Sequence, residues 1–322
     1  MKPLKHTALA VGLGLVMASL TAPAALLSFQ DDDIDYFLRA DSTAPGGYAA
    51  VTSGPIQIGD IALSVFEFPT VTVDGVDIVG PNEEFTGIAG VKLVDIVNPD
   101  STHPADGSGA TVGSVYIFDV WTDFNSFVVS QGGGDLGSVA TDAVVAVWRN
   151  STTDFDLDLD RAHNGGNPNC ASLSQCISEA ATGTLFQVDG FLGDGDESWT
   201  AIQLVAGGGD LASVKAANNT VPVASVNFFL SNIYQAIYSK VDGINVGSGL
   251  PCNFTGVNPI ADGCAQVTGN VNLTGGQGIS ASNPAVAHST TINAQKYVPE
   301  PATLALFGIG LLGLGARARR EV

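Results

Sequence analysis

Residues 70–79 read Thr70-Val71-Thr72-Val73-Asp74-Gly75-Val76-Asp77-Ile78-Val79. Two runs rich in β-branched residues flank a two-residue Asp-Gly, a strong local signal for a β-hairpin. The pattern spreads outward from there. Ile56 to Phe68 alternates loosely up to Pro69, and Val91 to Val97 stops at Asn98-Pro99-Asp100. Val112 to Trp121, Ser126 to Ser130, Ala143 to Trp148, Thr184 to Val188, Ala201 to Val205 and Val221 to Leu230 repeat it. Turn-rich stretches at 103–109, 132–135, 165–169 and 193–196 separate the runs. Short strands at such spacing predict an all-β, sandwich-like body with long Gly-rich loops. One stretch departs from period two: Phe229, Ile233, Ile237 and Val241 share a helical face, so a helix is allowed over 227–241. The stretch 243–294, rich in Gly, Asn, Ser and Thr, reads as irregular loop or spacer.

Composition narrows the function classes. The 322 residues include 12 Lys+Arg against 32 Asp+Glu, a formal net charge of -20. Charged residues are only 14% and apolar residues 45%, which is enough to bury a core and unlike a disordered acidic tail. Phosphate contacts need clustered Lys and Arg, so nucleic acid is excluded as a partner. Neither H-E-x-x-H nor G-x-S-x-G is present, and three tryptophans are few for a sugar-cleaving platform. The body is expected to be non-enzymatic. Gly132-Gly133-Gly134-Asp135-Leu136 recurs as Gly207-Gly208-Gly209-Asp210-Leu211. Both copies read as tight strand connections that glycine permits and aspartate caps.

The two ends read as addresses. Lys2 and Lys5, an apolar run from Ala8 to Leu20 and Ala22-Pro23-Ala24 compose a signal peptide over 1–24. At the other end, Pro299-Glu300-Pro301 precedes the apolar run Leu304 to Ala316, and Arg317, Arg319 and Arg320 follow. The prolines hold the tripeptide extended, the run makes a transmembrane sorting helix, and the arginines stay on the cytoplasmic side. Val298 to Arg320 resembles the PEP-CTERM sorting signal of Gram-negative bacteria. The resemblance implies export through the inner membrane, transient anchoring there by the tail, and recognition at Pro-Glu-Pro by an exosortase. It further implies a cell-surface or extracellular place alongside exopolysaccharide and biofilm. The chain then divides into the signal peptide, an exported β-rich body over 25–297, and the sorting signal over 298–322. With both ends removed, residues 25–301 keep 7 basic residues against 31 acidic ones, a formal charge of about -24.

An exported chain meets an oxidising compartment, so Cys170, Cys176, Cys252 and Cys264 predict two disulfides. Of three connectivities, the local one, Cys170–Cys176 with Cys252–Cys264, is simplest. The acidic clusters are candidate calcium ligands, because calcium takes several hard oxygens. Asp154, Asp156, Asp158 and Asp160 alternate with Phe155, Leu157 and Leu159, which equally fits a half-buried strand with an acidic wet face. Asp189, Asp194, Asp196 and Glu197 occupy a Gly-rich loop where carboxylates could converge, or simply a solvated hairpin. Asp31, Asp32, Asp33 and Asp35 read as a flexible acidic start. An alternative to cation-bridged polysaccharide association is a carbohydrate-binding module that uses exposed Trp121 or Trp199.

Overall fold

The computed structural model describes residues 25–298 apart from 74, 153–154, 156, 158–169, 194, 196, 219, 236–237, 242–243, 247–265, 278 and 281. The strands are β1 (Ala25–Ala40), β2 (Tyr48–Val51), β3 (Ile61–Val73), β4 (Val76–Asp77), β5 (Glu84–Val97), β6 (Val115–Val120) and β7 (Ala143–Asn150). They continue with β8 (Thr184–Gly190), β9 (Ser198–Gln203), β10 (Pro222–Gln235), β11 (Tyr238–Val241), β12 (Ile244–Val246), β13 (Gln266–Gly275) and β14 (Ala287–Val298). Three short helices interrupt them: α1 (Phe124–Ser130), α2 (Leu173–Ala180) and α3 (Leu211–Ala216).

The all-β body expected from the alternating runs takes the form of one antiparallel sheet of twelve strands that closes on itself. The path runs β3-β1-β14-β13-β10 and then forks. The free edge of β10 pairs with β9 along 224–229 and with β8 along 231–235. One edge of β5 likewise pairs with β7 along 84–89 and with β6 along 91–97. The arms β9–β6 and β8–β7 therefore both lead to β5, whose other edge returns to β3. Closure removes the unpaired edges that invite association.

Strand alternation then sorts side chains into an inside and an outside. On β3, Ala62, Phe66 and Phe68 point into the barrel, while Ile61, Leu63 and Val65 point out. The outer face is covered by α1, α2 and the segment around Phe155 and Leu157, which together bury Trp121, Phe124, Phe127, Trp148 and Ile177. The interior holds Phe29, Phe66, Phe68, Phe118 and Phe228. The Asp-Gly hairpin forms as its sequence predicts, with Thr72 opposite Asp77, Val73 opposite Val76, and Gly75 at φ +81°.

Four local expectations are corrected. Ser126 to Ser130 lies in helix α1 rather than a strand. Phe124, Phe127 and Val128 are its buried residues, and that spacing is helical even though the types favour strands. The helix allowed over 227–241 is instead the end of β10 followed by β11. Pairing with β13 and β8 on its two edges fixes β10 as extended. The presumed spacer over 243–294 supplies β13 and much of β14, which lie at the middle of the sheet path. The two Gly-Gly-Gly-Asp copies both have a left-handed first glycine, φ +93° at Gly132 and +79° at Gly207, but each leads into a helical turn and not straight into a strand. Asp210 caps α3 by accepting from the Ser213 N–H at 2.9 Å.

Candidate functional site

The barrel interior is not filled. A chamber of about 130 Å³ lies within it, walled by side chains from β1, β3, β5 to β10, β13 and β14. The wall is aromatic over much of its extent: Phe29, Phe66, Phe68, Phe118, Trp199 and Phe228 line it, with Trp199 stacked on Phe228 at a ring separation of 4.9 Å. Two glycines make that packing possible. Gly269 sits opposite Phe228 and Gly87 opposite Phe66. A Cβ at Gly269 would come within 2.3 Å of the Phe228 ring, so each ring lies over a backbone that has no side chain of its own.

Against this apolar wall stand a few buried polar groups. Asp33 and Asp35 come from β1, Ser64 from β3, Gln187 and Asp189 from β8, and Tyr116 and Gln203 from β6 and β9. Irregular pairing accompanies several of them. The register slips between Asp31 and Asp33 on β1, between Asn232 and Tyr234 on β10, and between Ala143 and Val145 on β7. Bulges of this kind re-aim side chains beside functional sites. Asp33 is 1% exposed and accepts the Ser289 N–H at 2.6 Å. Burial pushes its carboxyl up to about 7, against which the Ser289 hydrogen bond pulls down. Asp35 sits directly across from Ser64 in the β1–β3 pairing. Burial, and then the neighbouring Asp33 charge, hold its carboxyl well above the usual carboxylate range. Asp35 is half-buried and lines the chamber, and its Oδ2 is buried. Ser64 lies beside both carboxyls, yet its Oγ makes no hydrogen bond of ordinary geometry. Asp35 Oδ2 and Gln187 Oε1 are also buried without a partner.

Asp189 is 1% exposed and accepts from Asn232 Nδ2 at 2.8 Å and from Gln187 Nε2. Tyr116 donates to Gln203 Oε1 at 2.9 Å, and burial pushes its phenol up to about 12. The wall thus holds ionisable groups in strands, some saturated and some not.

The residues singled out from sequence are distributed differently. Asp189 belongs to the chamber, while Glu197 turns the β8–β9 connection by accepting the N–H groups of Leu192 and Gly193, both at 2.8 Å. Asp154, Asp156, Asp158, Asp160, Asp194 and Asp196 lie outside the described residues. Of the residues between them, Phe155 and Leu157 are buried, and their N–H groups reach Glu84 at 3.2 Å and Glu67 at 3.3 Å. Among the described residues, no three His, Cys, Asp or Glu side chains gather into a metal-holding group. Cys170 and Cys176 form the expected local disulfide, with Cα atoms 5.1 Å apart; Cys252 and Cys264 lie outside the described residues. Trp121 is 1% exposed and offers no sugar platform to solvent, while half-buried Trp199 lines the chamber with its ring on Phe228.

Asp33 and Asp35 were missed as site residues: the acidic start is a strand, not a flexible lead. The signal was Ile34, Tyr36 and Leu38 alternating with them, hidden by three consecutive aspartates.

The other end of β1 brings the chain termini of the body together. Ala25 pairs with Val298, Leu26 with Tyr297, and Leu27 with Lys296. The body's first strand therefore begins where the sequence places the end of the signal peptide, and its last strand ends immediately before Pro299. Pro299, Glu300, Pro301, Arg317, Arg319 and Arg320, like residues 1–24, lie outside the described residues. No helix among the described residues is long and apolar enough to cross a membrane. No curated protein and no solved structure matches the chain. Residues 298–320 match the PEP-CTERM protein-sorting motif. That motif implies export, passage through the membrane toward the cell surface, and processing by an exosortase. The chain is thus a barrel-bodied protein carrying a PEP-CTERM sorting motif at its C-terminal end.

Proposed function

We propose that the protein is a non-enzymatic component of the cell surface or extracellular matrix, released from its membrane tail by exosortase and associated there with exopolysaccharide in a biofilm. The observation that carries this reading is the abutment of strand β14, which ends at Val298, on the sorting motif that starts there. A folded body joined so directly to a sorting signal is cargo for delivery. Its surface charge suggests how it would be held. Residues 25–301 carry a formal charge of about -24, which repels other polyanions unless divalent cations bridge them. Calcium is the cation whose oxygen-rich ligand preference fits Asp- and Glu-bearing loops.

Delivery is tested by fractionating cells that express the wild-type chain, a chain with Pro299, Glu300 and Pro301 all changed to Ala, and the wild-type chain in an exosortase-deficient strain. The expected result is trimmed protein outside the cell only in the first case, with mass spectrometry placing the new C-terminus near residue 300. Retention of the terminal arginines on released protein would remove the delivery reading. Matrix association is read by co-sedimentation with exopolysaccharide with and without calcium, supported by equilibrium dialysis for calcium itself. Turnover of a glycan, ester or peptide by the purified chain would overturn the non-enzymatic part.

A further inference from the structure

We infer that the barrel chamber is a binding site for a small organic amine: a protonated amino group seated against Asp35 and Asp33, with an apolar body about the size of a benzene ring held by the aromatic wall. Neither the sorting motif nor the proposed surface role assigns any ligand to the interior, so this site stands or falls separately from both.

Three observations select the ligand class. The first is size. The chamber is about 130 Å³, somewhat below the roughly 150 Å³ of a dry apolar cavity that accommodates benzene, which limits the apolar body to a single ring at most. The second is hydrogen-bonding character. Three buried side-chain atoms at the chamber wall lack partners: Asp35 Oδ2 and Gln187 Oε1, which accept, and Ser64 Oγ, a hydroxyl beside Asp35 that can donate or accept. Gln187 is 2% exposed, and its amide nitrogen is already engaged with Asp189. A buried acceptor left unpaired costs stability, so the complementary ligand brings donors. An ammonium group offers three and an alcohol one. The third is charge. Asp33, Asp35 and Asp189 line the chamber, and no Lys, Arg or His does so among the described residues. Asp189 already accepts hydrogen bonds from Asn232 and Gln187, whereas Asp35 has an oxygen to spare. A cation near aromatic faces is attracted by their π-electrons as well as by the carboxylates, and Phe66 and Phe29 share the chamber with both aspartates. An anionic ligand would gain no counter-charge from the wall and would meet repulsion from each aspartate that ionises, and a purely apolar one would leave the acceptors unpaired.

The raised carboxyls of Asp33 and Asp35 are consistent with this vacancy of charge, because burial without a counter-cation favours the neutral acid. An incoming ammonium would restore ionisation. The groups around the pair are Asp32 on the same strand, Glu67 on β3 opposite Asp32, and His288 on β14 opposite Ile34.

The test uses the purified full chain and three probes of nearly equal shape: benzylamine, benzyl alcohol and toluene. Binding is followed by calorimetry and by the fluorescence of Trp199, with W199F identifying its contribution. The expected result is benzylamine binding about tenfold tighter than benzyl alcohol, the ratio that one charge-assisted hydrogen bond supplies. In D35N that preference falls to near unity while benzyl alcohol still binds. Circular dichroism checks folding, and if D35N does not fold, D33N is read by the same ratio. Equal or tighter binding of the alcohol, an unchanged amine preference in the folded variant, or no binding of any probe at millimolar concentration would each overturn the site.

Discussion

Asp33 shows how one buried carboxyl links stability to pH. Its raised value of about 7, against an ordinary 3.8, means the folded chain holds a proton that the unfolded chain has already released. Between these two values the folded state binds more protons, so stability falls as pH rises and levels off above the higher one. The slope expected from a single such group is about 1 kcal/mol per pH unit, and Asp35 adds to it in the same direction. D33N removes the ionisation and keeps an oxygen to accept the Ser289 N–H. Urea unfolding at several pH values should therefore show D33N gaining on the wild type from acid to mildly alkaline conditions, by on the order of 1 kcal/mol or more. A parallel pair of curves would contradict this account. None of it was legible beforehand. The composition gave the sign of the charge, but a run of aspartates reads as solvated until the strand that carries Ile34, Tyr36 and Leu38 is known to be buried on both faces.

Strands and helices differ in how far their sequence announces them. The Asp-Gly hairpin, Val91 to Val97 and Ala143 to Trp148 were readable because period two and turn residues agree there. Helix α1 reads as a strand because Phe127-Val128-Val129 are strand-forming types, although the buried set Phe124, Phe127 and Val128 has helical spacing. Strands β13 and β14 escaped notice because Gly, Asn, Ser and Thr dilute their alternation, and pairing with neighbours distant in sequence decides them. Gly269 illustrates that dilution: in a strand it reads as a breaker, yet it is the space beneath Phe228. G269A should cost about 1–3 kcal/mol by overpacking. F228L in the same chain should recover part of that loss, and a double-mutant cycle from denaturant melts would expose the coupling. Additive effects would show that the two do not compete for space. The Cys170–Cys176 bond is the other element-scale device, tying the segment just before the Ser172 N-cap to helix α2. For so short a loop, chain-closure entropy gives about 2 kcal/mol. Changing both cysteines to Ala, or adding reductant, should lower stability by about that amount in thermal or urea melts, with somewhat more lost from the buried sulfur packing.

At the scale of the whole molecule, the pairing of Ala25 with Val298 carries the hydrogen-bonded sheet up to the first residue of the sorting motif. A processing enzyme that needs an extended Pro299-Glu300-Pro301 must work within a residue or two of a hydrogen-bonded strand. Inserting a short Gly-Ser linker between Val298 and Pro299 should therefore raise the fraction of trimmed protein, measured as the ratio of tailed to tailless mass in pulse-labelled cells. A lower fraction would mean that the enzyme uses the barrel as a guide. The same pairing has a mechanical corollary. On the proposed sorting route, drag on a body tethered by its tail enters the fold at Val298, so the rungs that β14 shares with β1 and β13 nearest that end carry it first. Strong flow would thus strain those terminal rungs before it reached the aromatic interior.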